Sequence, residues 1–171
     1  MIFRALGAVL VCAACGLLGL YMSHRGIARA RLLTEFKQSL LMLKSEIDFA
    51  AYPLPQAFAN ISGRAGEGVS GFYESLSRRL ADKEMGLAEA WVKGLAEFSG
   101  SQLTADDLQA MENLGNALGS IDSTVQTKAI DMTIAAIDDI LTRLTAQNAK
   151  DGKMYRRLGL LGGALITVVL L

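Results

Sequence analysis

The chain has 171 residues, 51% of them hydrophobic, and its 17 Lys and Arg balance 17 Asp and Glu. That apolar share excludes a disordered charged tail, and a net charge of zero argues against a nucleic-acid binder, which needs a basic excess or a basic face. Two Cys and one His are too few for a structural zinc site. The run from Ile2 to Met22 is 21 residues long and holds one charge, Arg4. It is long enough to cross a bilayer core as a helix. A cleaved signal peptide is the competing reading, but the apolar residues continue to Leu20 and the charges that follow are basic. Cys12 and Cys15 spell a CxxC inside this run, where small packing residues fit better than a redox pair.

Six soluble helices are expected next. The first, from about Ile27 to Ala51, carries Leu33, Phe36, Leu40, Leu43, Ile47 and Ala50 at spacings of three and four. Tyr52-Pro53-Leu54-Pro55 stops it, because a residue before proline avoids the α region. Pro55 then starts a short helix that buries Phe58 and Ile61 and ends near Ser62. Gly63 to Gly68 reads as a loop. A third helix to about Ala81 presents Val69, Phe72, Leu76 and Leu80, and a fourth, Gly86 to Ser99, presents Leu87, Trp91, Leu95 and Phe98. Thr104 caps a fifth, with Asp106 and Asp107 in the first turn where the helix dipole favours acids. Leu108, Met111, Leu114 and Leu118 form its stripe, and Gly119 ends it in a left-handed conformation. Asp122 opens the last soluble helix as its N-cap, with Gln126 nearby to reinforce the turn. Its seam is expected to be Val125, Ala129, Met132, Ala136, Ile137, Ile140 and Leu144.

The charge-free stretch Leu158–Leu171 closes the chain. Met154, Tyr155 and snorkelling Arg156 and Arg157 lengthen it to about 18 residues, enough to cross with some bilayer thinning. No strong breaker except Gly152 separates it from the last soluble helix, so the two read as nearly continuous. Arg25, Arg29 and Arg31 follow the first span, and Lys150, Lys153, Arg156 and Arg157 precede the second. The positive-inside rule then places the middle of the chain in the cytoplasm. The expected organisation is a transmembrane helix over 1–24, a cytoplasmic all-α bundle over 25–154 and a second transmembrane helix over 155–171. Ala8, Cys12 and Gly16, like Gly159 and Gly163, are spaced by four, a spacing that lets membrane helices approach closely within one chain or between copies.

Catalytic patterns mostly fail. Gly66-Glu-Gly-Val-Ser-Gly71 matches GxGxxG, but a helix precedes it and Glu67 would repel phosphate; a flexible interhelical loop is the expectation. There is no phosphate-loop GxxxxGK[ST] motif. His24 sits at a membrane boundary among basic residues, without a triad partner. Asp106-Asp107 and Asp138-Asp139 are adjacent pairs whose side chains diverge by about 100° on a helix. The first reads as dipole compensation and the second as a solvated face. No enzyme activity, metal or cofactor is expected.

Five features in order resemble the stage III sporulation protein AB family, over almost the whole chain. They are an N-terminal membrane helix with a basic exit, Leu43-Lys-Ser-Glu46-Ile47 leading to Pro53-Leu54-Pro55-Gln-Ala57, and Ala90-Trp91. Leu114-Gly115-Asn-Ala-Leu118-Gly119-Ser-Ile-Asp122-Ser-Thr-Val-Gln126 and Tyr155-Arg-Arg-Leu158-Gly159 complete the set. Phe49-Ala50 stands where the family usually has Tyr-Gly, Tyr52 where Thr is common, and Leu114 where Phe is common. The resemblance implies a spore-forming bacterium and a part in the mother-cell-to-forespore transport channel. It also implies a soluble domain similar to one in the type II secretion and type IV pilus inner-membrane platform protein. From this follow a location in the outer forespore membrane facing the mother cell, docking to a secretion-type ATPase and contacts with other membrane proteins of the channel. The rival expectation is a membrane-tethered sensor that binds a ligand and signals through its last helix. Glu46, a lone acid in an apolar stretch, fits either a partner contact or a cap on the loop amides after Pro55. Trp91 reads as core.

Overall fold

The computed structural model describes the backbone over residues 26–50, 52–83, 85–98 and 102–170, and side chains over the same residues except Ala50 and 148–170. These residues form six helices and no strand, the all-α class expected. Helix α1 covers 26–45 and continues as a π-helical turn, Glu46–Ala50. Then come α2 (Leu54–Ser62), α3 (Glu67–Ala81), α4 (Leu87–Phe98), α5 (Ala105–Leu118) and α6 (Ser123–Leu170). The chain divides into two units, Arg29–Leu141 and the two ends, Met1–Ala28 with Thr142–Leu171. Among the described residues no helix is long and apolar enough to cross a membrane. Both expected spans lie outside the described side chains, as do His24, Cys12, Cys15, Ala8, Gly16, Gly159 and Gly163.

Within Arg29–Leu141, α1 is the hub. Its Leu33, Phe36, Leu40 and Leu43 are fully buried, as the spacing predicts, while Ile47 is half-buried. Glu35 reaches Gly68 and Ser39 reaches Tyr73, so α3 runs parallel to α1. Lys37 bonds Asp138 and Lys44 bonds Asp131, so α6 runs antiparallel. Arg29 reaches α5 and Glu46 reaches α2. Aromatic rings fill the space between α1 and α4: Phe36, Phe58, Tyr73 and Trp91 are fully buried and Phe72 is 5% exposed. The Phe72 and Trp91 rings meet edge to face at 5.1 Å between centroids. Such pairs add about 0.5–1.5 kcal/mol to the stabilisation from burial itself. Tyr73 Oη lies 2.9 Å from Ser39 Oγ, which is 2.6 Å from the Phe36 carbonyl, so neither buried hydroxyl is left without a partner. Burial pushes the Tyr73 phenol above its ordinary pKa, and the Ser39 bond only partly offsets this.

The last helix departs from the sequence expectation. Ile137, Ile140 and Leu144 are buried, but Val125 is 45% and Met132 67% exposed, and Ile130 and Thr133 take the inward positions instead. Met132 and Ile137 are five residues apart, about 140° round a helix, so one neighbour cannot cover both. The expected seam is therefore an apolar arc wider than the contact. Asp138 and Asp139 do lie on a solvated face, half-exposed and exposed, and Asp138 in addition accepts from Lys37 Nζ at 2.7 Å. That pair and Lys44–Asp131 bind α6 to α1; both are partly exposed, and each is worth about 0.2–1 kcal/mol. Gly152 does not interrupt α6, which is one helix from Ser123 to Leu170.

Candidate functional site

The motif residues sit at helix junctions. Pro53 is the N-cap of α2, Leu54 its first residue and Pro55 its second. The fixed φ of proline suits a helix start, and its missing N–H costs nothing there. The Pro53 carbonyl accepts from the amides of Gln56 and Ala57 at 2.9 and 3.0 Å. The Pro55 carbonyl accepts from Ser77 Oγ at 2.8 Å, which fixes α2 to α3. Glu46 does not cap the amides after Pro55. Its carboxylate accepts from Asn60 Nδ2 at 3.3 Å and Arg64 Nη1 at 3.4 Å, joining the π-helical turn to the far end of α2. The Glu46 side chain is only 11% exposed, which limits what a partner could reach.

Trp91 and Gly115, 24 residues apart in the chain, meet in the core. A Cβ on Gly115 would stand 2.7 Å from Cβ, Cγ and Cδ1 of Trp91. Only glycine lets α5 approach the indole this closely. The indole Nε1 donates to the Met111 carbonyl one turn earlier on α5, at 3.0 Å. The two motif pieces form a single α4–α5 contact, and both residues are buried.

Gly119 ends α5 as expected, but not in the left-handed conformation: its φ is −73° and ψ −6°. The turn is closed by side chains instead. Gln126 Nε2 donates to the carbonyls of Leu118 and Ser120 at 2.8 and 2.6 Å. The Leu118 carbonyl at the end of α5 lacks a helical partner and the Ser120 carbonyl lies just beyond, so the Gln126 amide takes the place of a left-handed cap. Asp122 Oδ1 accepts from the Thr124 amide at 2.8 Å and its hydroxyl at 2.7 Å, the N-cap arrangement for α6. These bonds hold the Asp122 carboxyl below its ordinary pKa.

Sequence reasoning missed an ion pair whose carboxylate is fully buried in the bundle. Asp107 is fully buried, and Arg29 forks onto it, Nε to Oδ2 and Nη2 to Oδ1, both at 2.8 Å. Asp107 Oδ2 also accepts from the Thr104 amide and hydroxyl at 2.8 and 2.9 Å. Burial alone would raise the Asp107 pKa, but the Arg29 and Thr104 bonds and the guanidinium charge outweigh it and hold the carboxyl below its usual value. Dipole compensation, the sequence reading, is therefore a minor part of its role. The one available signal was Arg29 on the α1 face that also carries Phe36 and Leu43, seven and fourteen residues on.

The GxGxxG segment is not a flexible loop either. Helix α3 begins at Glu67, inside the motif, with Gly66 as N-cap. Glu35 occupies the place a phosphate would take in a dinucleotide site, accepting from the Gly68 amide at 3.1 Å. Arg31 bonds the other Glu35 oxygen at 2.8 Å. A Cβ at Gly66 would lie 2.6 Å from Glu35 Cδ, and one at Gly68 2.8 Å from Leu32 Cδ1, so the glycines serve close packing on α1. Among the described residues no group of three or more His, Cys, Asp and Glu is placed to hold a metal.

The motif residues thus join helix to helix, and fold and junctions together define an all-α structural bundle built round its first helix. The chain belongs to the stage III sporulation protein AB family, whose model matches residues 4–171. The stage III sporulation protein AB of Bacillus subtilis (strain 168) is 25% identical over 169 residues, 98% of this chain and 99% of that protein. A solved structure of a stage III sporulation protein AB has the same fold, with a TM-score of 0.64 and 20% identity, covering 71% of this chain and 97% of that one. Family membership assigns the chain a role in sporulation.

Proposed function

We propose that the chain is a non-enzymatic platform of the mother-cell-to-forespore transport complex, held by two membrane spans. Its cytoplasmic bundle docks a secretion-type ATPase and contacts other membrane proteins of the channel. The observation that carries this reading is the family match over residues 4–171. Two further features support it. The described chemistry is spent on joining helices, as at Trp91–Gly115 and Arg29–Asp107. The antiparallel pairing of α1 and α6 also brings Arg29 and Leu141, where the chain enters and leaves the bundle, to one pole, as tethering to a single membrane requires.

Binding of the full chain in detergent micelles to the secretion-type ATPase encoded beside it tests the reading. Saturable binding is expected, with or without nucleotide. No binding by a chain with native helicity would remove the docking claim. Glu46→Ala should weaken the α1–α2 junction and leave affinity within twofold, because the carboxylate is spent on Asn60 and Arg64.

A further inference from the structure

Eight large apolar side chains are exposed among the described residues, and four of them gather at one pole. The antiparallel register sets Lys44 level with Asp131. Five residues further along α1 stands Phe49, and six residues back along α6 stands Val125, so both reach the same end of the bundle. Tyr52 follows the π-helical turn, and Ile121 lies in the α5–α6 turn that Gln126 closes. Phe49 is 86% exposed, Ile121 105%, Tyr52 53% and Val125 45%. The other four, Ile27, Leu41, Val92 and Met132, lie elsewhere on α1, α4 and α6. The Arg29 and Leu141 ends of the bundle lie at its opposite pole.

The charges beside this group select among occupants. Asp48 stands next to Phe49, and Asp122 next to Ile121; both are exposed, and Lys128 lies three residues beyond Val125. Two copies meeting pole to pole would set these acids against each other, and an anionic bilayer would meet them as well. A protein surface with an apolar ridge edged by Lys or Arg would find complementary charge and bury the exposed rings. A π-helical turn at the base of the group is consistent with such a role, since these turns recur at functional sites.

Resting on the platform reading above, we propose that the pole bearing Phe49, Tyr52, Ile121 and Val125 is where the ATPase docks, through an apolar ridge edged by basic residues.

The test measures affinity of the full chain in detergent for the ATPase, comparing wild type with Phe49→Ser, Ile121→Ser and Asp48→Lys. Val92→Ser, an exposed apolar change on α4, is the control. The mutated side chains are exposed, and unchanged helicity and melting temperature would show that the variants fold. Expected are a loss of tenfold or more for Phe49→Ser and Ile121→Ser, a smaller loss with reversed salt dependence for Asp48→Lys, and no change for Val92→Ser. If wild type binds and the two Ser variants match it, the pole is not the docking face, although the platform reading stands. If folded wild type does not bind, both fail. If the Ser variants instead dissolve a wild-type dimer seen by sedimentation while ATPase affinity is unchanged, the pole is a self-interface and the proposal is overturned.

Discussion

The two flanks of α1 are built differently. One faces the aromatic core, where Phe36, Phe72 and Trp91 interlock and Gly115 removes the last obstacle to close approach. The other faces α6, where Lys37–Asp138 and Lys44–Asp131 reach over the inward-facing Ile130 and Ile137, and where Val125 and Met132 are left largely in water. The first flank is specified by shape and tolerates little change. The second is specified by charge and a narrow apolar stripe, and it is forgiving. The family motifs reflect this, since Ala90-Trp91 and Leu114-Gly115 fall on the first flank's packing partners and no quoted motif covers Ile130 to Leu144.

The contrast breaks most sharply at Trp91. Trp91→Ala should cost about 4 kcal/mol, because removing a fully buried indole leaves a cavity and also loses its bond to the Met111 carbonyl. The check is a urea titration followed by circular dichroism. Arg29→Ala comes next, at about 3 kcal/mol, since it leaves the Asp107 carboxylate buried without its guanidinium. The same pair gives a pH signature. Because the folded Asp107 carboxyl titrates below its ordinary value, its stabilisation is present above the unfolded carboxylate pKa and is lost as pH falls through the folded one. Urea midpoints of wild type should therefore drop on acidification, and Asp107→Asn should be less stable at neutral pH with a shallower acid fall. Gly115→Ala should cost about 2 kcal/mol by overpacking against Trp91. On the α6 flank, Lys37→Ala and Lys44→Ala should each cost at most about 1 kcal/mol, and 0.5 M salt should shrink both effects. Smallest of all, Gly119→Ala should leave the melting temperature unchanged or slightly raised. The residue is right-handed, and an added Cβ would meet only the Asn116 carbonyl at 3.4 Å. A large loss there would show that the turn depends on the left-handed state after all.

The α1 stripe was legible because it is the width of its contact: Leu33, Phe36, Leu40 and Leu43 repeat every three or four residues and all are buried, whereas Leu80, Leu87, Phe98 and Leu108, expected in the stripes of α3 to α5, are only half-buried. The junction at Asp122 and Gln126 was legible for a local reason, since its partners lie within eight residues. What stayed hidden depends on distance in the chain. Asp107 resembles any first-turn acid until Arg29, 78 residues away, is placed against it. The glycines at 66 and 68 look like a loop until Glu35 closes on them from 33 residues before Gly68. Met132 resembles core because hydropathy reports the apolar arc of a helix, and only tertiary packing decides how much of that arc is covered.

The Lys37–Asp138 contact joins residues 101 apart. During synthesis at about 5–20 residues per second, α1 therefore waits roughly 5–20 s for its partner to leave the ribosome. Over that interval α2 to α5 can collapse on the aromatic flank alone, while the flank that α6 will cover stays exposed. The two lysines on that flank meet their carboxylates, Asp138 and Asp131, only once α6 has been made. The weaker flank is thus also the last to form, so the bundle is finished only when α6 has been made.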